Sequence, residues 1–420
     1  MIDILLNTIL FVPRFGIHSL QVGFLASKIA KMLGLDEMEA FYAGVLHDIG
    51  VITPHKGIVL DDIDEQFLIN QDVPTHESPT KDHTLISAFE VSKISVLANM
   101  YPNLSASILL HHAMPHYLNE NEKKDVLGNV LSISEEISKY VLVNNEELSF
   151  DDFVIPLSTI KNRYFDFVYD AAIGVLKEEY TRWMLYDIKA GYNREKIINE
   201  HTLAVKLLFN EVVEIGAVLS YIIDSKSTFT REHSWRVAKV SSAIASEILL
   251  NSEEFFIAGL FHDIGKITTP VNLLEKKGKL EPSEMDIMRK HVYYSYIILS
   301  NHKDEPWFWP AVRHQERIDG NGYPWRLKGD KMTFKDKILQ VADYFVAVLE
   351  PRPYRGPNTP EKAYEEVERA VSNGVLDKGP ASILKELVFG GYDFNKIDFM
   401  SSIQKDIYDF ERSLTGGREE

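Results

Sequence analysis

A histidine followed 29 positions later by a His-Asp pair occurs twice, as His18 with His47-Asp48 and as His233 with His262-Asp263. The copies lie 215 residues apart, about half of the 420-residue chain. Without a gap they also agree at Val22/Val237, Ile29/Ile244, Ala30/Ala245, Phe41/Phe256, Ala43/Ala258 and Gly44/Gly259. A match of this length points to internal duplication, so the chain must build one architecture twice.

The repeated text is helical. Val237, Val240, Ala243, Ile244 and Ile248 form one stripe at helical spacing, and the apolar run Phe256–Phe261 ends at the His-Asp pair. Further helices are predicted over Ile287–Leu299, Lys337–Leu349 and Pro360–Asn373, the last with Thr359 as cap and Pro360 in its first turn. Phe165–Glu179 and Lys196–Val213 have the same texture, and strand alternation is nowhere sustained. The predicted fold class is all-α, with tandem helical bundles over 1–150 and 211–420 and a motif-free helical connecting region over 151–210.

Composition narrows the chemistry. Hydrophobic residues make up 45% and charged residues 25%, ordinary values for a globular protein. A net charge of −17 argues against DNA or RNA duplex as partner, but leaves room for a local basic pocket. The chain has no cysteine, so metal ligands must come mainly from His, Asp and Glu. No run approaches the ~18 apolar residues of a membrane span. Met1–Arg14 is apolar but carries Asp3 and lacks a basic leader, so it reads as a core helix and not a secretory signal. A cytoplasmic protein with no membrane partner is expected.

The second copy continues with His291, His314 and Asp343. A lone histidine in apolar helical text is ordinarily a hydrogen-bonded core residue. A series built around an adjacent His-Asp pair is different, because the imidazole can hold one ion while the carboxylate bridges two. Histidine with carboxylate favours Mn, Fe or Zn over Mg or Ca. Two ions ~3.5–4 Å apart can clamp a phosphate and share a hydroxide for in-line attack.

Specific motifs surround these residues. His262-Asp263-Ile264-Gly265-Lys266 is similar to the HDIGK element of HD phosphohydrolases. His314-Gln315-Glu316-Arg317-Ile318-Asp319-Gly320-Asn321-Gly322-Tyr323-Pro324 resembles the HHExxDGxGYP element of the HD-GYP family. Val341-Ala342-Asp343 and Arg352-Pro353-Tyr354-Arg355 resemble its VAD and RPYR elements. The resemblance covers roughly Asp224 to Glu366 and implies helical bundles that bind metals and hydrolyse cyclic dinucleotides, either cyclic di-GMP or 3′,3′-cyclic GMP-AMP. By the matching motifs, His233, His262, Asp263, His291, His314, Gln315 and Asp343 would hold metal. Asp263 and Lys266 would be catalytic. Lys266, Arg317, Tyr323, Arg352 and Arg355 would hold the nucleotide; arginine suits this because its planar fork matches phosphate oxygens.

The sequence departs from the pattern at Gln315, where the family has a second His, and after His291, where the usual Pro and Gly are absent from the text Val292-Tyr293-Tyr294-Ser295. Phe229 stands where some members carry a Glu for a third metal, so two divalent ions, Fe or Mn, are expected. In the first copy His18, His47, Asp48, His83, His111, His112 and Glu135 form a candidate second metal site. Val51 replaces the lysine there, and DGxGYP text is absent after His111-His112-Ala113-Met114-Pro115. That copy reads as a degenerate domain kept for regulation or dimerisation. A homodimer or a signalling-protein partner would fit it. For the whole chain the sequence leaves open a cyclic-dinucleotide phosphodiesterase yielding a linear dinucleotide or mononucleotides, a binding module crippled at Gln315, and a hydrolase of another nucleotide.

Overall fold

A computed structural model describes residues 2–12, 14–52, 82–144, 147–202, 205–227, 232–276, 278–350, 356–392, 394 and 400–414. Among them every regular element is helical, apart from one isolated antiparallel bridge between Asp319 and Lys328. The all-α prediction is borne out. No helix among these residues is long and apolar enough to cross a membrane. The chain divides into two compact units, Met1–Lys206 with Ile407–Glu420, and Leu207–Asp406.

The first unit contains α1 (Ile2–Leu10), α2 (Phe15–Leu33), α3 (Glu37–Leu46), α4 (Asp82–Ser92), α5 (Leu104–Leu110), α6 (Lys123–Val143), α7 (Asp166–Lys177) and α8 (Glu179–Lys189). Helix α2 is central and packs against α1, α3, α6, α7 and α8. It stops at Gly34, whose φ of 70° is a left-handed cap that glycine adopts without strain. Helix α3 starts three residues later. The Asp36 carboxylate accepts from the N–H groups of Met38 and Glu39, both at 2.9 Å, supplying two of the bonds that a helix N-terminus lacks. Within the region 151–210, expected to be a connecting region, α7 and α8 pack in this unit.

The second unit contains α9 (Phe209–Asp224), α10 (His233–Glu247), α11 (Ser252–Phe261), α12 (Pro282–Ile298), α13 (Phe308–Val312), α14 (Phe334–Leu349), α15 (Pro360–Ser372) and α16 (Lys378–Phe389). The helical texture over Lys196–Val213 resolves into the end of one helix and the start of another. One helix ends at His201, where Thr202 is extended. Helix α9 then opens afresh, with the Glu211 carboxylate accepting from the Leu208 N–H at 2.6 Å.

The two units repeat one arrangement. Helices α2 to α6 and α10 to α14 follow the same order, and the α2–α3 and α10–α11 pairs are each tightly packed. The glycine shared by the copies explains the close approach. A Cβ at Gly44 would lie 2.6 Å from Gly23 Cα, and one at Gly259 would collide with Ala238 Cα, so a side chain at either point would force the helices apart. Each unit thereby brings the His-Asp pair at the end of its second helix against the histidine that lies on its first.

Candidate metal centre and substrate cleft

The series predicted from sequence converges in the second unit. His233 comes from the first turn of α10, His262 and Asp263 follow α11, His291 lies on α12, His314 follows α13 and Asp343 lies on α14. All six are buried. Asp343 shares the inward face of α14 with Leu339 and Val346, where an ionised carboxylate is costly unless it is paired.

The six divide into two groups that share Asp263. His233, His262 and Asp263 form one trio, and Asp263, His291 and His314 the other, each with ligand atoms within 4.8 Å of one another. Asp263 Oδ2 faces His262 Nε2 at 3.2 Å and His233 Nε2 at 3.6 Å, while Oδ1 faces His291 and His314 Nε2 at 3.4 and 3.6 Å. Asp343 Oδ1 joins the first trio, 3.2 Å from His233 Nε2 and 3.9 Å from His262 Nε2.

Outer groups fix the rings. The Nδ1 atoms of His262, His291 and His314 lie 2.6, 2.6 and 2.7 Å from the carbonyls of Gly259, Met288 and Ala311. A Nδ1–H donated to a carbonyl leaves Nε2 as the lone-pair atom facing inward, the form that binds metal. His233 Nδ1 faces Glu350 instead, at 3.0 Å. Burial pushes His291 down to about 3 and lowers His314, so both are neutral near pH 7. Burial also acts to lower His233, but the Glu350 charge and the bonds to Asp343 and Glu350 raise it to about 10. Burial works to raise Asp263, yet His262, Lys266 and His314 hold it well below the usual carboxylate range.

These residues could hold metal. His262 Nε2 and Asp263 Oδ1 are buried without a hydrogen-bond partner. Orphaned buried polar atoms cost about 1–3 kcal/mol each, and here they sit where two trios of His and carboxylate donors meet.

The structure places other predicted residues as follows. Lys266 Nζ donates to Asp263 Oδ2 at 2.5 Å, at the edge of the centre. Gln315 does not turn its oxygen inward as a ligand would. Its Nε2 donates to Asp343 Oδ2 at 3.2 Å, and its Oε1 accepts from Arg317 at 3.3 Å, so the amide steadies Asp343. Arg317 is also occupied elsewhere, donating to the carbonyls of His314 and Glu316. These bonds hold it against the turn. Arg352, Arg355 and Phe229 lie outside the described residues.

Tyr323 reaches the site because its loop folds back. Buried Glu316 accepts from the N–H groups of Trp325 and Leu327 at 2.7 and 2.8 Å, and a Cβ at Gly322 would collide with Arg317 N. The Tyr323 ring then stands edge-on to His291, with centroids 6.3 Å apart. Beside it opens a cleft of about 510 Å³, whose lining includes Arg289, Lys290, Tyr293, Tyr323 and Arg326. The sequence reading missed these three cations. Arg289 and Lys290 precede His291 on α12 and look like any exposed helix face.

Sequence reasoning also missed Glu350 and Ser295. Ser295 Oγ accepts from Gly265 N and donates to the His262 carbonyl, both at 2.9 Å. The first unit repeats the first of these bonds with Gly50 N and Ser87 Oγ, also at 2.9 Å. The signal was present as His-x-x-x-Ser in both copies, His83 to Ser87 and His291 to Ser295.

The first unit gathers its own series. His18, His47, Asp48 and Glu135 form one buried group, and His83, His111 and His112 another. Burial pushes His47 down to about 4 and lowers His18 well below its usual range.

Two family models, both described as HD domain, match residues 15–138 and 217–378. Over 179 residues the chain is 35% identical to the 3′3′-cGAMP-specific phosphodiesterase 1 of Vibrio cholerae, covering 41% of each chain. Over 181 residues it is 36% identical to a cyclic di-GMP phosphodiesterase of Thermotoga maritima, covering 41% of this chain and 48% of that one. The matches therefore span less than half the length of these relatives. The fold is shared with the crystal structure of a cyclic GMP-AMP specific phosphodiesterase of Vibrio cholerae, V-cGAP3, with a TM-score of 0.58 and 18% identity over 91% of this chain and 96% of that one. With its helical order, its paired His-Asp centres and these matches, the chain belongs to the HD-domain family as a tandem of two HD domains, the second of the HD-GYP type.

Proposed function

We propose that the second unit is a metal-dependent phosphodiesterase that opens cyclic dinucleotides, cyclic di-GMP or 3′,3′-cyclic GMP-AMP. The observation that carries this reading is Asp263, shared by two buried ligand trios. His233, His262, Asp263 and Asp343 would hold one ion, and Asp263, His291 and His314 the other, with Fe or Mn suited to such donors. Bound there, the ions supply Lewis acidity toward phosphate oxygens and lower the pKa of water.

The remaining work falls to the protein. Lys266, at the edge of the centre, can meet a non-bridging phosphate oxygen and stabilise its developing charge. The basic cleft of Arg289, Lys290 and Arg326 can hold the second phosphate of a cyclic dinucleotide, and Tyr323 offers a ring face to a base. Water adds to phosphorus, the P–O3′ bond breaks, and the 3′-oxygen leaves as a hydroxyl after taking up a proton. The product is the linear dinucleotide.

The test is hydrolysis of both cyclic dinucleotides by Mn- or Fe-loaded protein, beside the His262→Ala/Asp263→Ala double variant. Linear product from the unaltered protein alone is expected. Full activity in the variant would refute the assignment. Bound metal and bound nucleotide without product would instead favour a binding module.

A further inference from the structure

The two units differ in how much charge surrounds their centres. In the second unit two carboxylates, Asp263 and Asp343, face the histidines, and a third, Glu350, backs His233. In the first unit Asp48 and Glu135 face the histidines, but the position matching Glu350 is Leu142, and His18 Nδ1 pairs with the neutral Ser138 Oγ at 2.9 Å. The first unit also brings in a cation of its own. Lys139, one turn beyond Glu135 on α6, is buried and lies 2.8 Å from Glu135 Oε1. Its charge acts on His18 and His47 and is drawn by Asp48. The matching position on α14 is Ala347, one turn beyond Asp343.

The other half of the first-unit cluster has the dimensions of a metal site. His83 Nε2 lies 3.1 Å from His112 Nε2 and 3.5 Å from Asp48 Oδ1, and His111 Nε2 also lies 3.5 Å from Asp48 Oδ1. A tetrahedron with metal–ligand bonds of 2.0–2.1 Å has donor–donor edges of about 3.3–3.4 Å. His111 Nε2 and Asp48 Oδ1 are buried without a hydrogen-bond partner, and His111 Nδ1 is fixed by the Ile108 carbonyl at 2.6 Å.

We propose that the first unit holds a single transition-metal ion on His83, His111, His112 and Asp48, while Lys139 fills the half formed by His18, His47 and Glu135. Three imidazoles and one carboxylate suit Zn, Fe or Mn. His112 supplies the imidazole that Gln315 lacks in the second unit. With its neighbouring half filled, a single ion there has no partner with which to clamp a phosphate. This separates the first unit from the two-ion hydrolytic centre proposed above, and makes its ion a structural or regulatory one.

The test counts metal in the full-length chain. Asp263→Asn/Asp343→Asn disables the second centre and serves as the parent. After incubation with excess Co²⁺ and desalting, the parent should retain one equivalent of cobalt. Adding His83→Ala/His112→Ala should bring this to zero. Adding Lys139→Ala, the residue of the second copy, should bring it to two, and Lys139→Arg should leave it at one. Circular dichroism checks that each variant is folded. Zero or two equivalents in the folded parent overturn the proposal, as does one equivalent in a folded Lys139→Ala variant. None of these outcomes depends on hydrolysis, so loss of the phosphodiesterase reading would leave the count interpretable.

Discussion

Single residues outside the two trios bear on whether the proposed centre holds metal. Glu350 holds His233 through Nδ1, and such partners of metal-bound histidines orient the ring and raise its basicity. Glu350→Gln keeps the shape but removes the charge. Its affinity for Mn²⁺ should fall roughly 10–100-fold, read by metal titration; unchanged affinity would show that the carboxylate is a bystander. Arg289 and Lys290 make a different prediction. They line the cleft and lie outside both trios, so they should bind substrate and transition state alike. Replacing both by Ala should raise KM about tenfold or more, the size expected from losing a charged hydrogen bond, with kcat nearly unchanged. A fall in kcat at constant KM would place them in the chemistry instead.

At the scale of elements, the site depends on a pin between α12 and the turn after α11. Ser295 ties the Gly265 N–H and the His262 carbonyl to α12, and a Cβ at Gly265 would collide with the His291 carbonyl. Ser295→Ala leaves a buried N–H unpaired and should cost about 1–3 kcal/mol. In a unit of this size each kcal/mol lowers the melting temperature by about 2–4 °C, which differential scanning calorimetry would detect. No change would mean that close packing alone holds the turn. The pin also shows what the sequence discloses and what it hides. The gathering of the residues picked out by spacing and motif was legible, as were helices carrying an apolar stripe. The bonds from Arg317 to the carbonyls of His314 and Glu316 were not legible, because its motif position says nothing of the groups around it. Over Lys196–Val213 the helical texture was legible but the break was not, because apolar texture runs on across Thr202, where only the backbone turn marks it. Lys139 was invisible because a lysine one turn after a glutamate reads as an ordinary surface pair; burial alone reveals that it faces the cluster.

At the scale of the whole molecule, the chain divides into two compact units that repeat one helical order. Trp235, Phe256 and Leu260 anchor the core of the second unit, and Phe41, Tyr42 and Phe153 are fully buried in the first. Each unit buries its own apolar helices and its own His-Asp cluster, so each can unfold as a cooperative block. Denaturant titration followed by fluorescence should therefore show two transitions in chelator-treated protein. A ligand that binds only the folded state stabilises it in proportion to the logarithm of its concentration, by about 2.7 kcal/mol at one hundred times Kd. Adding Mn²⁺ should move the transition of the second unit to higher denaturant, and in Asp263→Ala that shift should vanish while any shift of the other transition persists. If instead Asp263→Ala removed both shifts together, the two units would be linked in folding, and metal bound in one would be stabilising the other.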